Sequence, residues 1–82
     1  MPRMFPVDSS AVVRIGYDAR AEEAYVEFDG SGTYAYLGVP PGVFAELVRA
    51  ESKGAFVNEV IKRRYPYRRV SLRRGPGERS RC

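Results

Sequence analysis

The sequence predicts an α+β fold: a three-stranded antiparallel β-meander covered on one face by two short helices, with room for a short C-terminal edge strand. Three observations lead there. Apolar residues alternate with period two across the segments 11–17 and 24–28, and Thr33 to Leu37 reads as a third strand. A glycine-bearing turn, Asp29-Gly30-Ser31-Gly32, divides the second segment from the third. Past Pro40 and Pro41 the apolar spacing changes to that of a helix.

In the first strand Ala11, Val13, Ile15 and Tyr17 point one way, and Val12, Arg14 and Gly16 the other. β-branched residues at period two mark a half-buried strand. Asp18 to Glu22 reads as a turn. Ala24, Val26 and Phe28 then alternate with Glu23, Tyr25 and Glu27, giving the second strand an apolar and a polar face. The glycines of the next turn permit the positive φ that tight hairpins need. Thr33 to Leu37 is the third strand, ended by Gly38-Val39-Pro40-Pro41-Gly42.

Val43, Phe44, Leu47 and Val48 form one helical stripe, and Phe56, Val57, Val60 and Ile61 form another. They predict helices over 41–51 and 53–64 with a break near Ser52. Two readings of the break stay open: Ser52 caps the second helix through its hydroxyl, or Gly54 terminates the first in the left-handed region. Pro66 stops the second helix, because the residue before a proline is driven out of the α region. Tyr67 to Leu72 is the candidate edge strand. The chain thus divides into a flexible N-terminal arm (1–9), a domain (10–70) and a basic tail that reads as disordered (71–82).

Eighty-two residues make one small domain, which buries about 60–65% of the surface its unfolded chain exposes. No run of about 18 apolar residues exists. The first ten residues contain Pro2, Arg3, Pro6 and Asp8 and lack the apolar stretch of a signal peptide. A cytoplasmic location is therefore expected, with no membrane contact. The lone cysteine, Cys82, has no partner for a disulfide within the chain. Histidine is absent, which removes the commonest general base and metal ligand. The acids Asp18, Glu22, Glu23 and Glu27 cluster around a turn with no nucleophile beside them. No catalytic residue, metal site or cofactor is expected.

Charge is distributed unevenly. Residues 1–61 hold five basic against nine acidic residues, roughly −4, and residues 62–82 hold nine basic against one acidic, roughly +8. Such asymmetry points to a polyanionic partner, most often nucleic acid.

Four local motifs occur in order: IGYD at 15–18, TYAYLGVP at 33–40, AESKGAFVN at 50–58 and IKRRYPY at 61–67. Together they resemble the KTSC domain, a short module found at the C-terminus of some lysyl-tRNA synthetases and as a stand-alone bacterial protein. The resemblance covers about residues 8–70, with Tyr34 and Tyr36 matching the family's Tyr-x-Tyr. It implies no established activity. The synthetase association suggests RNA binding.

The candidate nucleic-acid site is the run Lys62, Arg63, Arg64, Tyr65, Tyr67, Arg68, Arg69, Arg73 and Arg74. It interleaves cations with aromatic rings, as single-strand-binding surfaces do. Lys62 to Arg64 also complement the negative end of a helix dipole, which needs no ligand. Tyr34 and Tyr36 project from one strand face, either to stack bases or to pack under the helices. Lys53 is a candidate phosphate contact, although Ser52-Lys53-Gly54 lacks the Gly-Lys-Ser/Thr order of a phosphate-binding loop. The function expected is a small non-catalytic module that binds RNA, tRNA or single-stranded, through the C-terminal Arg/Tyr segment. The alternative is a protein-interaction module that uses the acidic hairpin or the sheet edge. A monomer or weak self-association is compatible with either.

Overall fold

Five strands, rather than three, form the sheet. The computed structural model describes residues 2–70. The strands are β1 (Met4–Pro6), β2 (Val12–Asp18), β3 (Glu23–Phe28), β4 (Gly32–Leu37) and β5 (Tyr67–Arg69), all antiparallel and in the spatial order β1-β2-β3-β4-β5. The three central strands are the meander that the alternation predicts. At the C-terminal edge, β5 falls within the expected strand over 67–72, and the N-terminal edge β1 corrects the expectation.

The N-terminal correction concerns the segment 1–9, expected to be a flexible arm. Met4, Phe5 and Pro6 pair with Gly16, Ile15 and Arg14, and the Val7 amide donates to the Val13 carbonyl (3.1 Å). Pro6 is tolerated in this strand because it lies at the sheet edge, where its missing N–H breaks no interior ladder. Gly16 makes the pairing possible. A Cβ there would lie 2.7 Å from the Arg3 carbonyl oxygen and 2.6 Å from Met4 Sδ. Gly16→Val is therefore expected to peel β1 away while the rest of the sheet persists. Hydrogen exchange of the Val7 amide would rise to the rate of an unprotected amide. Protection equal to that of the unsubstituted protein would show that β1 tolerates the side chain.

A second correction lies in β2. Val13 was expected to point with Ile15 and Tyr17, but the register shifts between Val12 and Arg14. This bulge turns Val12 into the core and leaves Val13 exposed, since an extra residue on one strand reverses the facing of what precedes it. The hairpin turn behaves as expected: Gly30 and Gly32 have φ of 81° and 91°.

Helix α1 (Pro41–Arg49) starts with a proline, whose missing N–H costs nothing at that position. The second helix, α2, covers 53–64 in three stretches: α over Lys53–Phe56, π over Val57–Ile61 and α over Lys62–Arg64. Ser52 Oγ accepts from the Ala55 amide (3.2 Å), so of the two open readings Ser52 is the N-cap. Gly54 is buried inside the helix against Ala11.

Both helices cover one face of the sheet. Val12, Ile15, Ala24, Val26 and Tyr36 from the strands meet Leu47, Val57 and Ile61 from the helices. Tyr17 fastens α1: its ring stacks on Phe44 with centroids 4.9 Å apart, and its hydroxyl donates to the Val39 carbonyl (2.6 Å). The other face carries no helix. Arg14 Nε donates to Glu27 Oε1 (2.7 Å) and Arg68 Nη2 to Glu23 Oε1 (3.0 Å). Between these pairs lies Tyr25, whose hydroxyl donates to Glu23 Oε1 and accepts from Arg68 Nη2.

Candidate nucleic-acid interface

Strand β5 brings the two aromatic groups of the sequence together. Its register places Tyr67 opposite Tyr36 and Arg69 opposite Tyr34. On the helix-covered side Tyr67 packs tilted against Tyr36 (centroids 5.7 Å) and edge-on to Tyr34 (5.3 Å). Tyr34 in turn packs edge-on against Phe28 (5.7 Å). The Arg69 guanidinium lies 5.8 Å from the Tyr34 ring centre, within cation–π range, and donates to the Ser31 carbonyl (3.3 Å).

These rings form one wall of a cleft of about 410 Å³, a size typical of small-ligand sites. The opposite wall is helical. Gly54, Asn58 and Lys62 recur every four residues and all line the cleft. Gly54 contributes no side chain, which leaves room. The rim holds Ser10, Asp29 and Ser31. The π stretch lies between Gly54 and Lys62, and such bulges are frequent at functional sites.

The two tyrosines of β4 part company. Tyr36 is buried in the core at the base of the cleft, and Tyr34 is half-buried on its wall. Stacking from above is open to the exposed Tyr67 and to the accessible part of Tyr34. Burial raises the Tyr36 phenol above its ordinary value of 10.0, and the Tyr67 and Tyr34 hydroxyls add to this. Burial also raises Tyr25, helped by the Glu23 carboxylate, and raises Tyr17, helped by Glu22 and Asp18. The folded protein then holds phenolic protons that the unfolded chain releases. The stability these three phenols contribute is fully present below their ordinary value of 10.0 and is lost as pH rises through their raised values in the folded protein. Denaturant midpoints measured from about pH 8 to 11 are expected to fall above pH 10, and less steeply for Tyr36→Phe. An unchanged slope in that variant would remove Tyr36 from the alkaline transition.

The basic run does not form one surface. Lys62, Arg63 and Arg64 are exposed at the C-terminal end of α2, and Lys62 enters the cleft. Tyr65 is half-buried against the core. Arg69 borders the cleft, but Arg68 projects to the opposite face, where Glu23 and Tyr25 engage it and raise its pKa. Alternation along β5 separates these neighbours. Lys53 Nζ donates to the Ala50 carbonyl (2.7 Å) and so satisfies the end of α1. Arg73 and Arg74, with the rest of 71–82 including Cys82, lie outside the described residues. Asn58, Phe28 and Asp29 were missed as site residues. The four-residue spacing of Gly54, Asn58 and Lys62 was visible in the sequence, but only the sheet opposite shows that the stripe faces a cleft.

Among the described residues no group of three or more Cys, Asp or Glu is placed to hold a metal ion. No described helix is long and apolar enough to cross a membrane.

Comparison with known proteins places this arrangement in a family. The KTSC domain model matches residues 8–65. A protein from Tsukamurella paurometabola is 47% identical over 62 residues, covering 76% of this chain and 92% of its own length. A lysine–tRNA ligase from Nostoc punctiforme is 31% identical over 64 residues, covering 78% of this chain but 11% of the ligase. The crystal structure of a KTSC domain protein from Yersinia pestis superposes with a TM-score of 0.82 at 37% identity, covering 87% of this chain and all of that one. The chain belongs to the KTSC domain family.

Proposed function

We propose that this protein is a non-catalytic RNA-binding module whose binding surface is the cleft between β4–β5 and α2, extended by the basic end of α2. The observation that carries this reading is the facing of Tyr34 and Tyr67 by Lys62, with Arg69 on the Tyr34 ring and Arg63 and Arg64 next to Lys62 in the last turn of α2. Aromatic faces stack unpaired bases, and flanking cations hold the phosphates. Kinship to a segment of lysine–tRNA ligases supports tRNA as the natural form of that RNA. Arg73 and Arg74 would extend the cationic surface, and Arg68, on the other face, contributes to holding β5 in place.

The alternative, a protein contact through the acidic hairpin, draws less support. Glu23 and Glu27 are ion-paired, and Asp18 accepts from the Arg20 and Ala21 amides. The test is fluorescence anisotropy with labelled tRNA, single-stranded RNA and duplex DNA at about 50 and 200 mM salt. Salt-dependent binding that favours RNA is expected. Absence of binding at the lower salt would overturn the proposal.

A further inference from the structure

The cleft is polarised along its length. Gly54 packs on Ala11, whose Cβ lies 3.1 Å from the place of a Gly54 Cβ. The Ala11 carbonyl in turn accepts from the Asp29 amide (2.9 Å). Asp29 therefore stands at the Gly54 end. Lys62 is eight residues further along α2, about 12 Å at 1.5 Å per residue, and Asn58 lies midway. A carboxylate at one end, an amide between, an ammonium at the other end and an aromatic wall alongside define what fits. The occupant has a flat ring, N–H donors at one end and an anion at the other. An amino acid is too short, because its two charges sit on one carbon and its neighbour. One nucleotide has the right reach, from phosphate to base edge.

We infer that the cleft is a single-nucleotide site selective for guanine, an inference that deepens the RNA-binding reading and rests on it. Lys62 takes the phosphate, Tyr34 and Tyr67 line one side of the base, Asn58 contacts the ring and Asp29 meets its Watson–Crick edge. A carboxylate only accepts hydrogen bonds and does so through two oxygens. Guanine alone presents two adjacent donors on that edge, N1–H and the N2 amino group. Adenine and cytosine place a ring acceptor beside their amino group, which a carboxylate repels. Uracil offers one N–H between two carbonyls.

The test compares the RNA pentamers UUGUU and UUUUU on the full chain by anisotropy, with NMR amide shifts followed during titration with GMP. Asp29→Asn is the informative variant: asparagine suits the same turn position, and a retained thermal midpoint verifies the fold. The unsubstituted protein is expected to prefer UUGUU by about tenfold, as for one good two-point base contact. In Asp29→Asn that preference, the ratio of the two affinities, should shrink to near unity. Equal binding of both pentamers by the unsubstituted protein would overturn guanine selectivity and leave RNA binding standing. A preference that survives in Asp29→Asn would equally overturn the role of Asp29. If neither pentamer binds, GMP decides: shifts at Asn58 and Tyr34 would keep the guanine site and overturn the RNA reading, and their absence would overturn both.

Discussion

Leu47→Ala is expected to destabilise the protein by about 2–5 kcal/mol and to lower its melting temperature by roughly 10–25 °C. Leu47 is fully buried and is among the largest enclosed side chains of the described residues. It is also the only residue of α1 buried to that degree. Truncating it removes apolar contact with the sheet and leaves a void that a small core refills poorly. A domain of this size starts near the low end of the ordinary range of 5–15 kcal/mol, so the loss is a large share of the total. Val48, its neighbour on the helix, is 49% exposed. Val48→Ala is the control, expected to shift stability by about 0.5 kcal/mol or less. Thermal and urea unfolding measure both. Equal effects in the two variants would mean that α1 is not seated on the sheet as described.

The second large effect concerns binding. If Lys62, Arg63, Arg64 and Arg69 each engage one phosphate of a single strand, log K falls against log salt with a slope of about −3. Replacing Lys62, Arg63 and Arg64 together by Gln is expected to reduce that slope to about −1 and to weaken binding on the order of 100-fold at low salt. All three are solvent-exposed, so the fold should survive. Arg68→Gln is the informative contrast. It removes one formal charge, against three, from the opposite face, where Glu23 already engages the guanidinium, and should leave the slope unchanged. A slope reduced by about 0.7 in Arg68→Gln, one cation's share, would indicate diffuse attraction to net charge rather than binding at the α2 end.

Which residues would line a site was only partly legible in the sequence. Tyr34, Tyr36, Tyr67 and Lys62 stood out by type and spacing, and all four line the cleft. Asp29 reads as a residue of the turn and of the acidic hairpin, and nothing in the sequence singles out Asn58 as a site residue. Nothing local marks a side chain as facing a sheet twenty residues away in sequence. Arg68 and Arg69 looked equivalent because charge runs carry no facing, and β5 had to pair with β4 before its alternation could send them apart.

The central strands, the hairpin turn, the Ser52 break and the two helices follow from local rules. Period two, period 3.6, glycine conformational freedom and capping are properties of neighbouring residues, and the sequence by itself determines them. Four things were decided only in three dimensions. These are the N-terminal edge strand that depends on the bare backbone at Gly16, the bulge that reverses Val12 and Val13, the burial of Tyr36 beneath a half-open Tyr34, and the joining of β5 to β4. Each depends on a pairing between segments distant in sequence. Pairing register is set by which total packing buries the most apolar surface without a clash, a quantity that no short window of sequence contains.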